Sequence, residues 1–360
     1  MRDKEIDIFR AIAMMEVIVQ HCCYWVGIYS QGNISIVKSL LVLGFAVPLF
    51  FVITGASNFL SNKNSIIDFY KSRLQRIIIP YWIYGIVCII FSYNYLNTMH
   101  KVDIFQMIGY WIIPINKQLV SNPLLGGALW FIPIYLFIMI LFPVIKYIYK
   151  RYNNNFCHIL IIIFFISMVI YLPFCKSQPG DYVYYIKFTA FYVIFTYIGI
   201  LYIDKFKNVY INSKWLFIII IVALLINKGL IMLGLGIWDM QTNKFPPNIV
   251  FLVHSSMIML ILFILRKKIV EIIESLCKNK IVKFIFEQYR DNCYTIYLFH
   301  PLVFITLNKL ITVANISNFL NEYNFIKLMI YLLITIPCSA ILGKCFNIIE
   351  KIKINIRVEK

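Results

Sequence analysis

The sequence predicts an all-α polytopic membrane bundle of about ten transmembrane helices, and three observations predict it. Of 360 residues, 61% are hydrophobic and only 14% are charged, too little charge to cover an ordinary soluble domain. Ten apolar runs are each long enough to cross about 30 Å of hydrocarbon. Lysine and arginine concentrate in every second loop, as cytoplasmic loops require.

In chain order the runs lie near 8–27, 36–60, 77–95, 124–148, 156–175, 183–204, 215–237, 248–266, 292–313 and 325–349. The first is bounded by Arg2, Lys4 and Arg10, and the second and third flank a basic segment with Lys63, Lys71, Arg73 and Arg76. The fourth closes on Lys146, Lys150 and Arg151, and the sixth is followed by Lys205, Lys207 and Lys214. The eighth ends at Arg266, Lys267 and Lys268, and the tenth runs into the lysines near the C-terminus. The stretch 104–113 is too short to span and reads as an interfacial or re-entrant piece. With the N-terminus inside, 25 of the 34 basic residues fall on the cytoplasmic side and 9 on the other. Ten crossings with both termini cytoplasmic follow, in one integral membrane domain over 1–360 with no appended soluble domain. The net charge of +18 is thus a topology signal with affinity for anionic lipid, and nucleic acid is not an expected partner. The first run lacks the pattern of a cleaved signal peptide and is expected to stay attached.

That first run holds Asp7, Arg10, Glu16 and His21 in "DIFRAIAMMEVIVQH". At about 100° per residue, Arg10 and His21 lie within about 20° of each other, with Asp7 close by and Glu16 about 120° or more away. An ionisable group at membrane depth costs several kcal/mol unless it faces protein or water, so the stripe should look into a cavity. Arg10 falls near the inner boundary and His21 about 20 Å in. Arg73 and Arg76, spaced i and i+3, present two guanidiniums to one phosphate-bearing ligand, or else serve the positive-inside rule alone. The nine cysteines show no CxxC pair and read as packed or lipid-facing thiols, not as a metal site.

Five segments stand in order along the chain: Arg10 and His21 at an Arg-x10-His spacing, "FFVITG" (Phe50–Gly55), "RLQR" (Arg73–Arg76) before a proline, "LWF" (Leu129–Phe131) and "YTIYLFHPLV" (Tyr294–Val303). In these the chain resembles the membrane acyltransferase-3 family of bacterial acyl-CoA-dependent transferases. The segments cover nearly the whole chain, in the family's order. Thr54 stands where the family usually has Ser, and the hydroxyl is kept.

The resemblance implies acyl-CoA, expected to be acetyl-CoA, as donor substrate, with no metal. Arg73, Arg76 and Arg10 are then expected to hold its phosphates at a cytoplasmic mouth. His21 becomes either the general base on an acceptor hydroxyl or a transiently acylated nucleophile, and Asp7 orients Arg10. His300 is a second catalytic candidate, with a packing role as the alternative. Lys228, at the depth of His21, is expected to touch the acceptor or to snorkel outward. Trp130 stacks on a sugar or belongs to an interfacial belt. Glu16 is expected to contribute to substrate binding, paired with Lys228 or Lys187. His100, His158 and His254 read as structural or solvated. The expected activity is transfer of a short acyl group to a hydroxyl of an extracytoplasmic glycan or lipid-linked saccharide, in a bacterial cytoplasmic membrane. The alternative is a transporter or flippase of a polyprenyl-linked sugar, which also needs a polar path.

Overall fold

A computed structural model describes residues 3–29, 43–61, 65–99, 112, 129–177 and 181–351. The chain forms α1 (Lys4–Tyr29), α2 (Ala46–Leu60), α3 (Ile66–Met99), α4 (Phe131–Arg151), α5 (Asn155–Tyr171), α6 (Tyr182–Leu201) and α7 (Trp215–Met232). A short α8 (Met240–Asn243) precedes α9 (Ile249–Leu276), α10 (Lys280–Asp291), α11 (Cys293–Val313), α12 (Ser317–Glu322) and α13 (Asn324–Lys351). Among the described residues there is no strand. Among the described residues seven helices, α4, α5, α6, α7, α9, α11 and α13, are long and apolar enough to cross a membrane. The protein is an all-α polytopic membrane protein. Each of the ten predicted runs falls on a helix; the remaining three coincide with α1, α2 and α3. His100 and the stretch 104–113, Ile112 apart, lie outside the described residues, as do the starts of the second and fourth runs.

Two helices run past their apolar cores into basic sequence. The segment with Arg73 and Arg76 belongs to the first turns of α3, and α9 carries Arg266, Lys267 and Lys268 within it. Helix starts are closed by side chains where the sequence supplies them: Asn154 accepts from Cys157 N, Asn248 from Phe251 N and Asn279 from Ile281 N. The start of α2 has no such residue of its own. There Glu16 Oε2 of α1 accepts a 3.1 Å bond from Ala46 N, because an orphan N–H at a helix start needs a partner away from water.

The buried side chains form two clusters. One gathers α2, α4, α6 and the first half of α9; the other gathers α10, α11 and α13 with part of α3. Helix α1 contributes to both, Phe9 and Ala13 to the first, Met14 and Ile18 to the second. It therefore lies at the seam between them. The tightest crossing is α2 on α6: a Cβ on Gly55 would lie 1.9 Å from Thr196 O, and one on Gly199 would lie 2.0 Å from Val52 O. Small residues let membrane helices approach this closely, and packing then replaces the missing hydrophobic drive.

Candidate active site

A cavity of about 770 Å³ opens along this seam. Each of the five segments singled out in the sequence contributes to its wall. Arg10 and His21 come from α1, Phe50 and Thr54 from α2, and Arg73 and Arg76 from α3. Trp130 and Phe131 stand at the start of α4, and Tyr294, Tyr297, His300 and Pro301 come from α11. Gly55 does not line the cavity; it permits the close approach to α6 that holds Thr54 and Phe50 in place.

One end of the cavity is cationic. Arg10 Nη1 donates a 2.8 Å bond to Asp7 Oδ1 one turn earlier, and Nη2 a 3.3 Å bond to Ser57 Oγ of α2. Asp7 thus orients Arg10, with Ser57 as a second holder that the spacing argument did not identify. The Arg73 guanidinium lies 5.6 Å from the Phe69 ring centroid, and its buried Nε has no hydrogen-bond partner. Arg76 and Arg10 both bear on it electrostatically. Arg76 lies 4.0 Å from Glu350 Oε2, while Glu350 Oε1 accepts from the backbone N (2.7 Å) and Oγ1 (2.5 Å) of Thr295. Three guanidiniums against two carboxylates, Asp7 and Glu350, leave this end with excess positive charge and favour an anion there, since each fork presents parallel donors to phosphate.

About 16 Å further along α1, the rise of the eleven residues from Arg10, stands a histidine pair. His21 Nδ1 lies 2.5 Å from His300 Nε2, with the rings 4.7 Å apart at 15°. His300 Nδ1 faces the carbonyl oxygens of Tyr297 at 2.7 Å and Ile296 at 3.2 Å. Carbonyl oxygens only accept, so Nδ1 of His300 carries its proton. In the neutral ring Nε2 must then accept, and His21 Nδ1 donates to it. The chain of bonds leaves Nε2 as the basic nitrogen of His21. One base is thereby oriented by a second ring that is itself fixed by backbone, the arrangement by which a general base or nucleophile is held in one tautomer.

The far end is polar and aromatic. Trp130 packs against Phe245 at 5.0 Å and Phe188 at 5.4 Å, and the Lys244 ammonium stands 5.5 Å from its centroid. This places Trp130 inside the bundle wall and not in a lipid-facing belt. Gln241 Nε2 donates to Gln20 Oε1 at 2.9 Å. Glu16 also lines the cavity, so the polar face of α1 is wider than the stripe of Asp7, Arg10 and His21.

Two expectations are corrected. Lys228 does not reach the cavity: it is exposed on α7, a helix whose fully buried residues are Ala223 and Asn227 alone and whose Leu230 and Ile231 pack against the core. The lysine at the site is Lys244, from the segment between α8 and α9. Lys187 is not beside Glu16 either; its Nζ donates to Cys175 O and Ser177 Oγ. His158 is buried, with Nδ1 2.6 Å from Tyr197 Oη, and His254 is buried on α9.

A family model described as an acyltransferase domain matches residues 3–344. Neither the curated proteins nor the solved structures contain a match to this chain. The match runs from before α1 into α13 and so takes in every segment that lines the cavity. The chain belongs to the acyltransferase-3 family.

Proposed function

We propose that this acyltransferase moves an acetyl or other short acyl group from acyl-CoA to a hydroxyl of an extracytoplasmic glycan or lipid-linked saccharide, in a bacterial cytoplasmic membrane. The observation that carries the reading is one continuous cavity with Arg10, Arg73 and Arg76 at one end and the His21–His300 pair beyond them. The arginines hold the phosphates of the nucleotide end of CoA. The slim pantetheine arm runs along α1 and brings the thioester carbonyl to His21. Nε2 of His21 takes the proton of the acceptor hydroxyl as its oxygen bonds to the carbonyl carbon. The carbon–sulfur bond then breaks, and the proton passes from His21 to the departing CoA thiolate. His300 keeps the accepting nitrogen aimed at the cavity throughout. Trp130, Glu16 and the polar groups near them receive the acceptor.

Calorimetric titration of CoA and dephospho-CoA tests the donor end. A charge-assisted bond is worth roughly 1.5 to 3 kcal/mol, so Arg73→Ala or Arg76→Ala should weaken CoA binding about tenfold or more. Lysine at either position keeps the charge but loses the planar fork, and should restore binding only in part. Wild-type CoA affinity in a correctly inserted double alanine variant returns both arginines to a topology role.

A further inference from the structure

The end of the cavity away from the arginines holds Glu16, placed above among the groups that receive the acceptor, together with a lysine, Lys244. Lys244 reaches in from the segment before α9, with its ammonium 5.5 Å from the Trp130 ring centroid and 5.2 Å from that of Phe245. The two π faces hold the cation over the cavity, and among the described residues its three N–H groups find no hydrogen-bond acceptor. Glu16 faces the same space from α1 and is only 7% exposed. Its Oε2 is committed to Ala46 N and the Gln20 side chain also bears on the carboxyl, whereas Oε1 is buried with no partner of hydrogen-bond geometry. Lys244 and Glu16 feel each other's charge without closing to an ion pair. A buried carboxyl oxygen and a cation left apart across a cavity are unfilled hydrogen-bonding positions, since such groups otherwise pair.

We propose that Lys244 and Glu16 form the acceptor subsite, and that it takes an uncharged sugar ring through two neighbouring hydroxyls. This rests on the acyl-transfer reading above, which requires an acceptor beside His21. One hydroxyl accepts from the Lys244 ammonium, and its neighbour donates to Glu16 Oε1. The linked Gln20 and Gln241 amides line the same end and suit further hydroxyls. The ammonium and the carboxyl compensate each other, so the pair offers one donor and one acceptor with no net charge. A ring carboxylate could pair with Lys244 but would also meet the Glu16 carboxyl, whereas a neutral pair of hydroxyls satisfies both positions. Glu16 thus has two tasks, closing the start of α2 with one oxygen and reading the acceptor with the other.

The test compares a neutral and an acidic ligand of the same ring, methyl glucopyranoside and methyl glucopyranosiduronate, titrated into the detergent-solubilised full chain. Wild type is expected to prefer the neutral glycoside by about tenfold or more, the effect of one misplaced charge-assisted bond. Lys244→Met should weaken the neutral ligand about tenfold. Glu16→Gln keeps an oxygen for Ala46 but turns a donor toward the cavity, so the preference should shift toward the acidic glycoside. A damaged fold cannot produce that gain. Wild type that prefers the acidic ligand, or that binds neither, overturns the proposal, as does a preference unmoved by both substitutions. Acetyl-CoA hydrolysis by wild type is measured in parallel. Hydrolysis with no sugar preference removes the subsite and leaves the acyl-transfer reading intact. Absence of any acetyl-CoA consumption removes that reading, whatever the sugars do.

Discussion

His300 Nδ1 is held by two carbonyl oxygens of its own helix, and this small fact fixes which nitrogen of His21 is basic. Two consequences differ in size. His21→Ala removes the base and should abolish transfer. A general base contributes about 10²–10⁴-fold, and His300 acts only through it, so His300→Leu should lower kcat by a smaller factor while leaving the KM for acyl-CoA unchanged. Glutamine at position 300 keeps an acceptor for His21 Nδ1 and should recover part of the loss, which a mere packing role would not predict. Single-turnover transfer in proteoliposomes gives these numbers; a His300→Leu variant that only raises KM would contradict the positioning role. The Arg10–His21 face was legible in the sequence because both residues lie on one helix and helical geometry relates them directly. Glu16 at the start of α2, Ser57 on Arg10 and Lys244 at the far end were not, since each joins elements distant in the chain. Lys228 interrupts an apolar run, yet a lysine on the exposed side of a helix can extend along its own aliphatic stem to the interface.

Among the elements, α2 and α6 form the crossing that fixes one wall of the cavity. Gly55→Ala and Gly199→Ala each drive a methyl group into backbone oxygen at about half a normal contact distance. Backbone cannot rotate aside as a side chain does, so the helices must separate. Overpacking costs typically 1–3 kcal/mol and more where nothing yields. Both variants should show a clear drop in the thermal midpoint of the detergent-solubilised protein and lower activity, because Phe50 and Thr54 move with α2. Gly229→Ala is the internal comparison. Nothing lies within 4 Å of a Cβ there, and replacing a mid-helix glycine is worth up to about 1 kcal/mol in favour of the helix, so its midpoint should hold or rise. Equal losses at positions 55 and 229 would remove the argument from close approach. Element positions were legible because the apolar runs are long, and a run long enough to span is also long enough to be helical. Their ends were less so: α3 and α9 continue through charged sequence, where apolar character fades but helix-forming lysine and arginine keep the backbone hydrogen-bonded.

For the whole molecule, the seam between the two buried clusters sets α1 as a shared axis with the arginines toward its start and His21 toward its end. Basic residues fall 25 to 9 between alternate loops, and the positive-inside rule then predicts the arginine end at the cytoplasm and the Lys244 end outward. This gives a prediction about sidedness that no single residue carries. In sealed vesicles of defined orientation, acyl-CoA supplied on the side of the N-terminus should support transfer, and the same acyl-CoA on the opposite side should not. The acceptor should show the reverse requirement. Cysteine labelling, in a variant whose native cysteines are replaced, fixes orientation independently: probes at Lys205 and Lys278 should react from the N-terminal side, and a probe at Trp238 from the other. The two measurements can disagree, and the disagreement is informative. If labelling gives the expected topology but acyl-CoA works from the outer face, the arginine end is not the donor mouth. A terminal tag at Lys360 reachable only from outside would instead break the ten-crossing arrangement, because an odd number of crossings would put the basic loops on alternate sides. Donor and acceptor working from opposite faces through one cavity requires both results together.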